Sequence, residues 1–196
     1  MLAYVAWHRP AEGVDEGAYE RSLERFHRSL ARVPPSGFCG SSAFRIVGLP
    51  WEGDAAEAGQ QGYEDWYLLD SWAALGVLEE AAVAHGHASL HDAVAKMAAH
   101  AIGAVYRLSE GHPRLEHARV GVWVAPARGH VAPTIADLLG DGMDPEVAGL
   151  WRRCLGLGPA PEYCLLAPET PAGVAAARLP SGWKSLATKR TAVWQG

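Results

Sequence analysis

The sequence predicts an α+β fold in two tandem halves, about 1–111 and 118–196, each an antiparallel sheet with helices packed on one face. Three observations predict it. Strand-like and helix-like patterning alternates along 1–111, and three short segments of that half recur in the same order between 120 and 194. The composition, 49% hydrophobic and 20% charged with eight Trp, six Tyr and three Phe, holds enough apolar surface to offset the chain entropy lost on folding.

Leu2 to His8 reads as the first strand. Asp15 is an N-cap, and Tyr19, Leu23, Phe26, Leu30 and Val33 follow at helical spacing, so five apolar groups share one stripe. Glu24 stands four residues before Arg28 on the opposite side, and Pro34-Pro35 with Gly37 ends the helix. Phe38 to Val47 is a second strand, Glu52 to Gly62 a polar, acidic, Gly-rich loop, and Asp65 to Asp70 a third strand. Asp70 or Ser71 caps a helix that runs to about Val83. Ser89-Leu90-His91-Asp92 has capping-box spacing and opens a helix with Leu90, Val94, Met97 and Ala101 inward. Ile102 to Leu108 is the fourth strand. The order β-α-β-β-α-β is that of a ferredoxin-like unit.

Gly111-His112-Pro113 links this half to the next, which reads as a shorter and degraded copy. Val120 to Ala125, Glu162 to Ala167 and Thr188 to Trp194 are strands; Thr134 to Leu139 and Pro145 to Leu155 read as helical. No second strand is evident there, and Pro168, Pro171 and Pro180 make the last connection irregular. Tyr4-Val5-Ala6-Trp7-His8-Arg9-Pro10 matches Val120-Gly121-Val122-Trp123-Val124-Ala125-Pro126, each with Trp three residues before Pro. Asp65-Trp66-Tyr67-Leu68-Leu69 matches Glu162-Tyr163-Cys164-Leu165-Leu166, and Gly103-Ala104-Val105-Tyr106 matches Thr191-Ala192-Val193-Trp194. Preserved order, rather than any one match, suggests two related halves.

In the first strand Ala3, Val5 and Trp7 face one way and Tyr4, Ala6 and His8 the other, so both faces carry apolar groups. Helices cover only one face. A second sheet, from the other half or from another subunit, would cover the other and close a barrel-like cavity. With its paired halves and Trp- and Tyr-bearing strands, the chain resembles the dimeric α/β-barrel superfamily of the ferredoxin-like fold, in tandem form. That superfamily includes antibiotic-biosynthesis-type monooxygenases, stress-responsive barrel proteins and haem-containing chlorite dismutase-like enzymes. The resemblance implies small-molecule binding, a homodimer, and haem in some members; it transfers no catalytic residue set.

Seventeen basic and 22 acidic residues give a net charge of -5, and the arginines are scattered, which disfavours nucleic acid as a partner. The longest run free of Asp, Glu, Lys and Arg is Val33 to Phe44, twelve residues with Pro and Gly, too short for a bilayer span of about 20. The start Met1-Leu2-Ala3-Tyr4 meets His8 and Arg9 at once, unlike a secretory signal, so a cytoplasmic protein is expected. Cys39, Cys154 and Cys164 form no C-x-x-C pair and are expected to be reduced and mostly buried. There is no Walker-type loop, no G-x-G-x-x-G after a strand, no G-x-S-x-G elbow and no H-E-x-x-H.

Two groups of residues invite chemistry. Trp7, His8, Arg45, Asp70, Tyr106 and Arg107 are polar or amphipathic on otherwise apolar strands. Paired sheets would gather some of them around a small apolar ligand, with His8 as general base and Arg or Tyr as hydrogen-bond donor. Against this, Trp7 and Tyr106 also suit a core, and the arginines suit solvent. The second group, His85, His87 and His91, places three imidazoles beside Asp92, and His87 and His91 share a face if the helix reaches back to His87. Ser89 as a cap argues for a solvated turn instead. The expectation is a small-molecule-binding protein, a monooxygenase-like enzyme with no resident cofactor. A non-catalytic oligomerising protein and a metal- or haem-dependent enzyme are the alternatives.

Overall fold

Residues 1–47, 61–84, 86–140, 143–156, 160–175 and 179–196 are described by a computed structural model of the chain. Alternating strands and helices appear in the order β1 (Leu2–Pro10), α1 (Glu16–Arg32), β2 (Phe38–Val47), β3 (Gln61–Leu69), α2 (Trp72–Val83), α3 (Ala88–Ala95) and β4 (Ala98–Gly111). The second part adds β5 (Val120–Ala125), α4 (Ile135–Leu139), β6 (Gly149–Gly156), β7 (Tyr163–Ala167), α5 (Ala172–Ala175) and β8 (Lys184–Gln195).

The eight strands close into one antiparallel barrel in the order β1-β3-β2-β8-β5-β7-β6-β4. Strands from 1–111 are contiguous, as are those from the rest of the chain, and two seams join them, β2 with β8 and β4 with β6. The cover for the open face thus comes from the same chain. Ala3, Val5 and Trp7 point into the barrel with Phe44, Trp66, Tyr106, Trp123 and Trp151. Outside, Phe26 and Leu30 of α1 and Leu78 of α2 pack on Leu2, Tyr67 and Leu69. β3 is buried along nearly its whole length, as a strand with covered faces must be.

Local signals place several elements. The Asp15 carboxylate accepts from the Ala18 amide at 2.8 Å, and the α1 stripe Tyr19, Leu23, Phe26 and Leu30 is buried. Ser71, not Asp70, caps α2 by accepting from the Ala74 amide. Within the expected loop 52–62, Gln61 and Gly62 begin β3, and 52–60 lie outside the described residues.

Other expectations are corrected. Pro145 to Leu155 is not helical: a 3-10 turn at Pro145–Val147 leads into β6, which pairs with β4 and β7. There Leu150 packs outward and Trp151 inward, a period of two that partners on both edges enforce over local propensity. Helix α3 starts from His87 with no side-chain cap and stops at Ala95, so the Ser89 capping box does not form. Ala98 and Ala99 pair with Pro10 and Arg9, drawing Met97 to Ala101 out of the expected helix; His100, at φ 53°, lies where the β1–β4 register shifts. Of the cysteines only Cys164 is buried; Cys39 and Cys154 are exposed. Among the described residues no helix is long and apolar enough to cross a membrane.

Candidate active site

The register of β1 against β3 builds the site. Ala6 stands opposite Asp65, Trp7 opposite Glu64 and His8 opposite Tyr63, so Asp65 shares the outer face with Tyr4, Ala6 and His8. Helix α1 lies across that face and lowers Tyr19 and His27 onto it. Asp65 Oδ2 lies 3.0 Å from His8 Nε2, 3.2 Å from the Tyr67 hydroxyl and 3.3 Å from His27 Nε2. His8 Nδ1 lies 2.7 Å from the Tyr19 hydroxyl, and His27 Nδ1 lies 2.8 Å from Ser41 Oγ.

Burial opposes charge on Asp65, but the positive charge and hydrogen bonds of His8 and His27 outweigh it and hold the carboxyl well below the usual range. An ionised Asp65 only accepts. Both imidazoles therefore donate from Nε2, and in their neutral form accept at Nδ1 from Tyr19 and Ser41. The result is a directed chain, Tyr19 O–H to His8 Nδ1 and His8 Nε2–H to Asp65. Burial, then the charge of Asp65, pushes the Tyr19 and Tyr67 phenols up, so both stay protonated. Three donors crowd Oδ2, while the buried Oδ1 has no partner among the described residues.

A cavity of about 190 Å³ opens beside this chain, between the sheet and helices α1 to α3. Tyr4, His8, Tyr19, Phe26, Asp65 and Tyr67 form its deep wall. Glu79 of α2 and Ala95 of α3, both exposed, lie at its rim. The barrel interior is instead filled by aromatic side chains: Trp7 meets Trp123 at 5.3 Å between ring centroids, and Trp66 meets Trp151 at 5.3 Å.

Of the residues singled out from the sequence, His8 lines the cavity. Trp7 and Tyr106 lie inside the barrel, where the Trp7 indole donates to Glu64 and the Tyr106 hydroxyl to the Pro161 carbonyl. Arg45 shares the outer face with His8 but lies beyond Tyr63, its guanidinium on Glu20 at 3.3 Å. Asp70 and Arg107 are exposed. His85 lies outside the described residues. His87 ties α3 to α1, its ring nitrogens 2.8 Å from Ser29 Oγ and 3.2 Å from the Val33 carbonyl, while His91 lines the cavity. Tyr19, His27, Asp65 and Tyr67 were not singled out. One signal was available: Glu64 and Asp65 are adjacent acids within an apolar strand, so period-two geometry buries one on each face.

Among solved structures, an anthrone oxidase-like protein superposes with a TM-score of 0.50 at 9% identity, covering 98% of this chain and 93% of that one. A proposed monooxygenase from Lactobacillus acidophilus NCFM superposes with a TM-score of 0.50 at 12% identity, covering 99% and 95%. In fold, the chain resembles the dimeric α/β-barrel superfamily. A proposed chlorite dismutase gives a TM-score of 0.51 at 14% identity, covering 98% and 96%. No family model and no curated protein matches the chain.

Some members of the dimeric α/β-barrel superfamily carry haem, and the residues here do not fit one. The cavity is smaller than the ~300–1,000 Å³ of sites for drug-sized ligands, and a tetrapyrrole needs more room. Both ring nitrogens of His8 are engaged, which leaves no lone pair for an axial bond. Among the described residues no three His, Cys, Asp or Glu side chains are grouped to hold a metal ion.

Proposed function

We propose that 1–111 and 118–196 are two ferredoxin-like halves of one compact unit, and that the first half binds a small, largely apolar molecule and acts on it as a monooxygenase-like enzyme with no resident cofactor. The strand orders β4-β1-β3-β2 and β8-β5-β7-β6 support the tandem reading, since the second repeats the first four strands on. The matched segments also fall on corresponding strands, β1 with β5, β3 with β7 and β4 with β8.

The observation that carries the functional reading is the Tyr19–His8–Asp65 chain in the cavity wall. A ligand proton passes to the Tyr19 oxygen as the phenol proton passes to His8 Nδ1, and Asp65 stabilises the imidazolium that forms. A carbon acid deprotonated in this way is electron-rich enough for dioxygen to oxidise. For a methylene group the balance is CH2 plus O2 to C=O plus water, so no further reductant is needed.

Native mass spectrometry of the purified protein tests the binding step. An adduct of low mass on the wild type that is lost in Ala6→Phe, which fills the cavity, is the expected result. An adduct that survives Ala6→Phe unchanged places the ligand elsewhere and overturns the reading. His8→Ala is expected to lower turnover of the identified ligand by about 10²–10⁴-fold.

A further inference from the structure

Its histidines aside, the charged side chains of the cavity wall are acidic. Its lining includes two carboxylates, Asp65 at depth and Glu79 at the rim, and among the described residues that line it there is no lysine or arginine. The remaining deep wall is aromatic. Tyr4 stacks on Tyr67 with ring centroids 5.9 Å apart, Phe26 meets Tyr67 edge-on at 6.4 Å, and Tyr19 completes that wall. Aromatic faces attract cations, most strongly where water is excluded.

Two buried polar atoms of the lining residues have no hydrogen-bond partner among the described residues, Asp65 Oδ1 and His91 Nδ1. A carboxylate oxygen can only accept, whereas His91 Nδ1 faces the Asp92 carboxylate at 3.6 Å and is placed to donate, which leaves Asp65 Oδ1 as the acceptor without a donor. Asp65 is 3% exposed, so an empty lone pair there is costly unless a donor arrives with the ligand. An ammonium offers three donors and a positive charge, and it loses its own hydration only where a carboxylate replaces it. The Tyr4 phenol registers the same field: burial pushes it up first, then the charges of Glu79 and Asp65.

We propose that this cavity selects a small organic cation, a protonated amine on a compact apolar body, with Asp65 Oδ1 as its counter-ion, Glu79 drawing it in at the rim and the tyrosine and phenylalanine rings enclosing it. The inference rests on the reading of this cavity as the ligand site, and names the class of ligand that site takes.

Three probes of one shape test it by isothermal titration: benzylamine, benzyl alcohol and benzoate, which at neutral pH carry positive, zero and negative charge on the same ring and one-carbon arm. Benzylamine is expected to bind at least tenfold more tightly than benzyl alcohol, with benzoate weakest, and Ala6→Phe is expected to abolish all binding. Asp65→Asn should remove the preference for the amine. Because Asp65 also anchors two histidines, Glu79→Gln at the exposed rim gives a second test and is expected to narrow the preference severalfold, as added salt should. Benzyl alcohol binding as tightly as benzylamine overturns the cation inference and leaves the cavity reading standing. Failure of all three probes to bind the wild type overturns both.

Discussion

Glu64 and Arg190 stand 126 positions apart and meet at the centre of the barrel, Oε1 to Nη2 at 2.5 Å, with neither side chain exposed. Glu64 belongs to β3 and Arg190 to β8, so the pair spans the two parts of the chain. Glu64 also accepts from the Trp66 indole at 2.7 Å and the Trp7 indole at 3.0 Å, while the Arg190 guanidinium lies 3.8 Å from the centroid of the Phe44 ring. Removing one partner of such a pair leaves a buried charge, at a cost of about 3–5 kcal/mol. Arg190→Met is expected to lower stability by that amount in urea unfolding, and the double variant Glu64→Leu/Arg190→Met to recover much of it. A loss below about 1 kcal/mol in the single variant would show that the pair is not needed to hold the parts together.

Asp65 has its folded pKa depressed below the ordinary carboxylate value, burial being outweighed by His8 and His27. The unfolded chain therefore binds the proton more readily, and the stability this group contributes is full above about pH 4 and is lost as pH falls through the folded value. Urea midpoints measured from neutral pH downward should drop for the wild type in the acid range and drop less for Asp65→Asn. Equal slopes for the two proteins would exclude Asp65 as the source.

Tyr19 and His8 make a bond whose direction is observable. In its neutral form His8 should carry its proton on Nε2, read from long-range nitrogen–proton NMR spectra. Tyr19→Phe deletes the donor to Nδ1, leaves a buried acceptor unpartnered and is expected to cost about 1–3 kcal/mol. It should also lower turnover while binding of the apolar body of the ligand persists. A His8 proton on Nδ1 in the wild type would reverse the chain and remove the relay.

Cys164 is buried inside the barrel, and burial, followed by the charge of Glu64, pushes its thiol well above the ordinary range, whereas Cys39 and Cys154 are exposed. Iodoacetamide should label Cys39 and Cys154 in the folded protein and Cys164 only after unfolding, as counted by intact mass. Labelling of all three at one rate would contradict a closed barrel.

The parts legible in the sequence are those set by neighbours along the chain. The α1 stripe and the Asp15 cap, the alternation that turns Trp7 to one face and His8 to the other, and the need to cover both faces of the sheet all follow from side-chain period and short-range hydrogen bonds. Only the tertiary structure decided the rest. β6 is a strand because β4 and β7 flank it, whereas its own residues read as helical, and α3 ends early because Ala98 and Ala99 find partners on β1. The candidate site has the same origin. His8 and Asp65 are 57 residues apart and meet through strand register, and Tyr19 reaches them from a helix laid across both. No local pattern encodes such a meeting, because the energy that selects it comes from burying all of these groups at once.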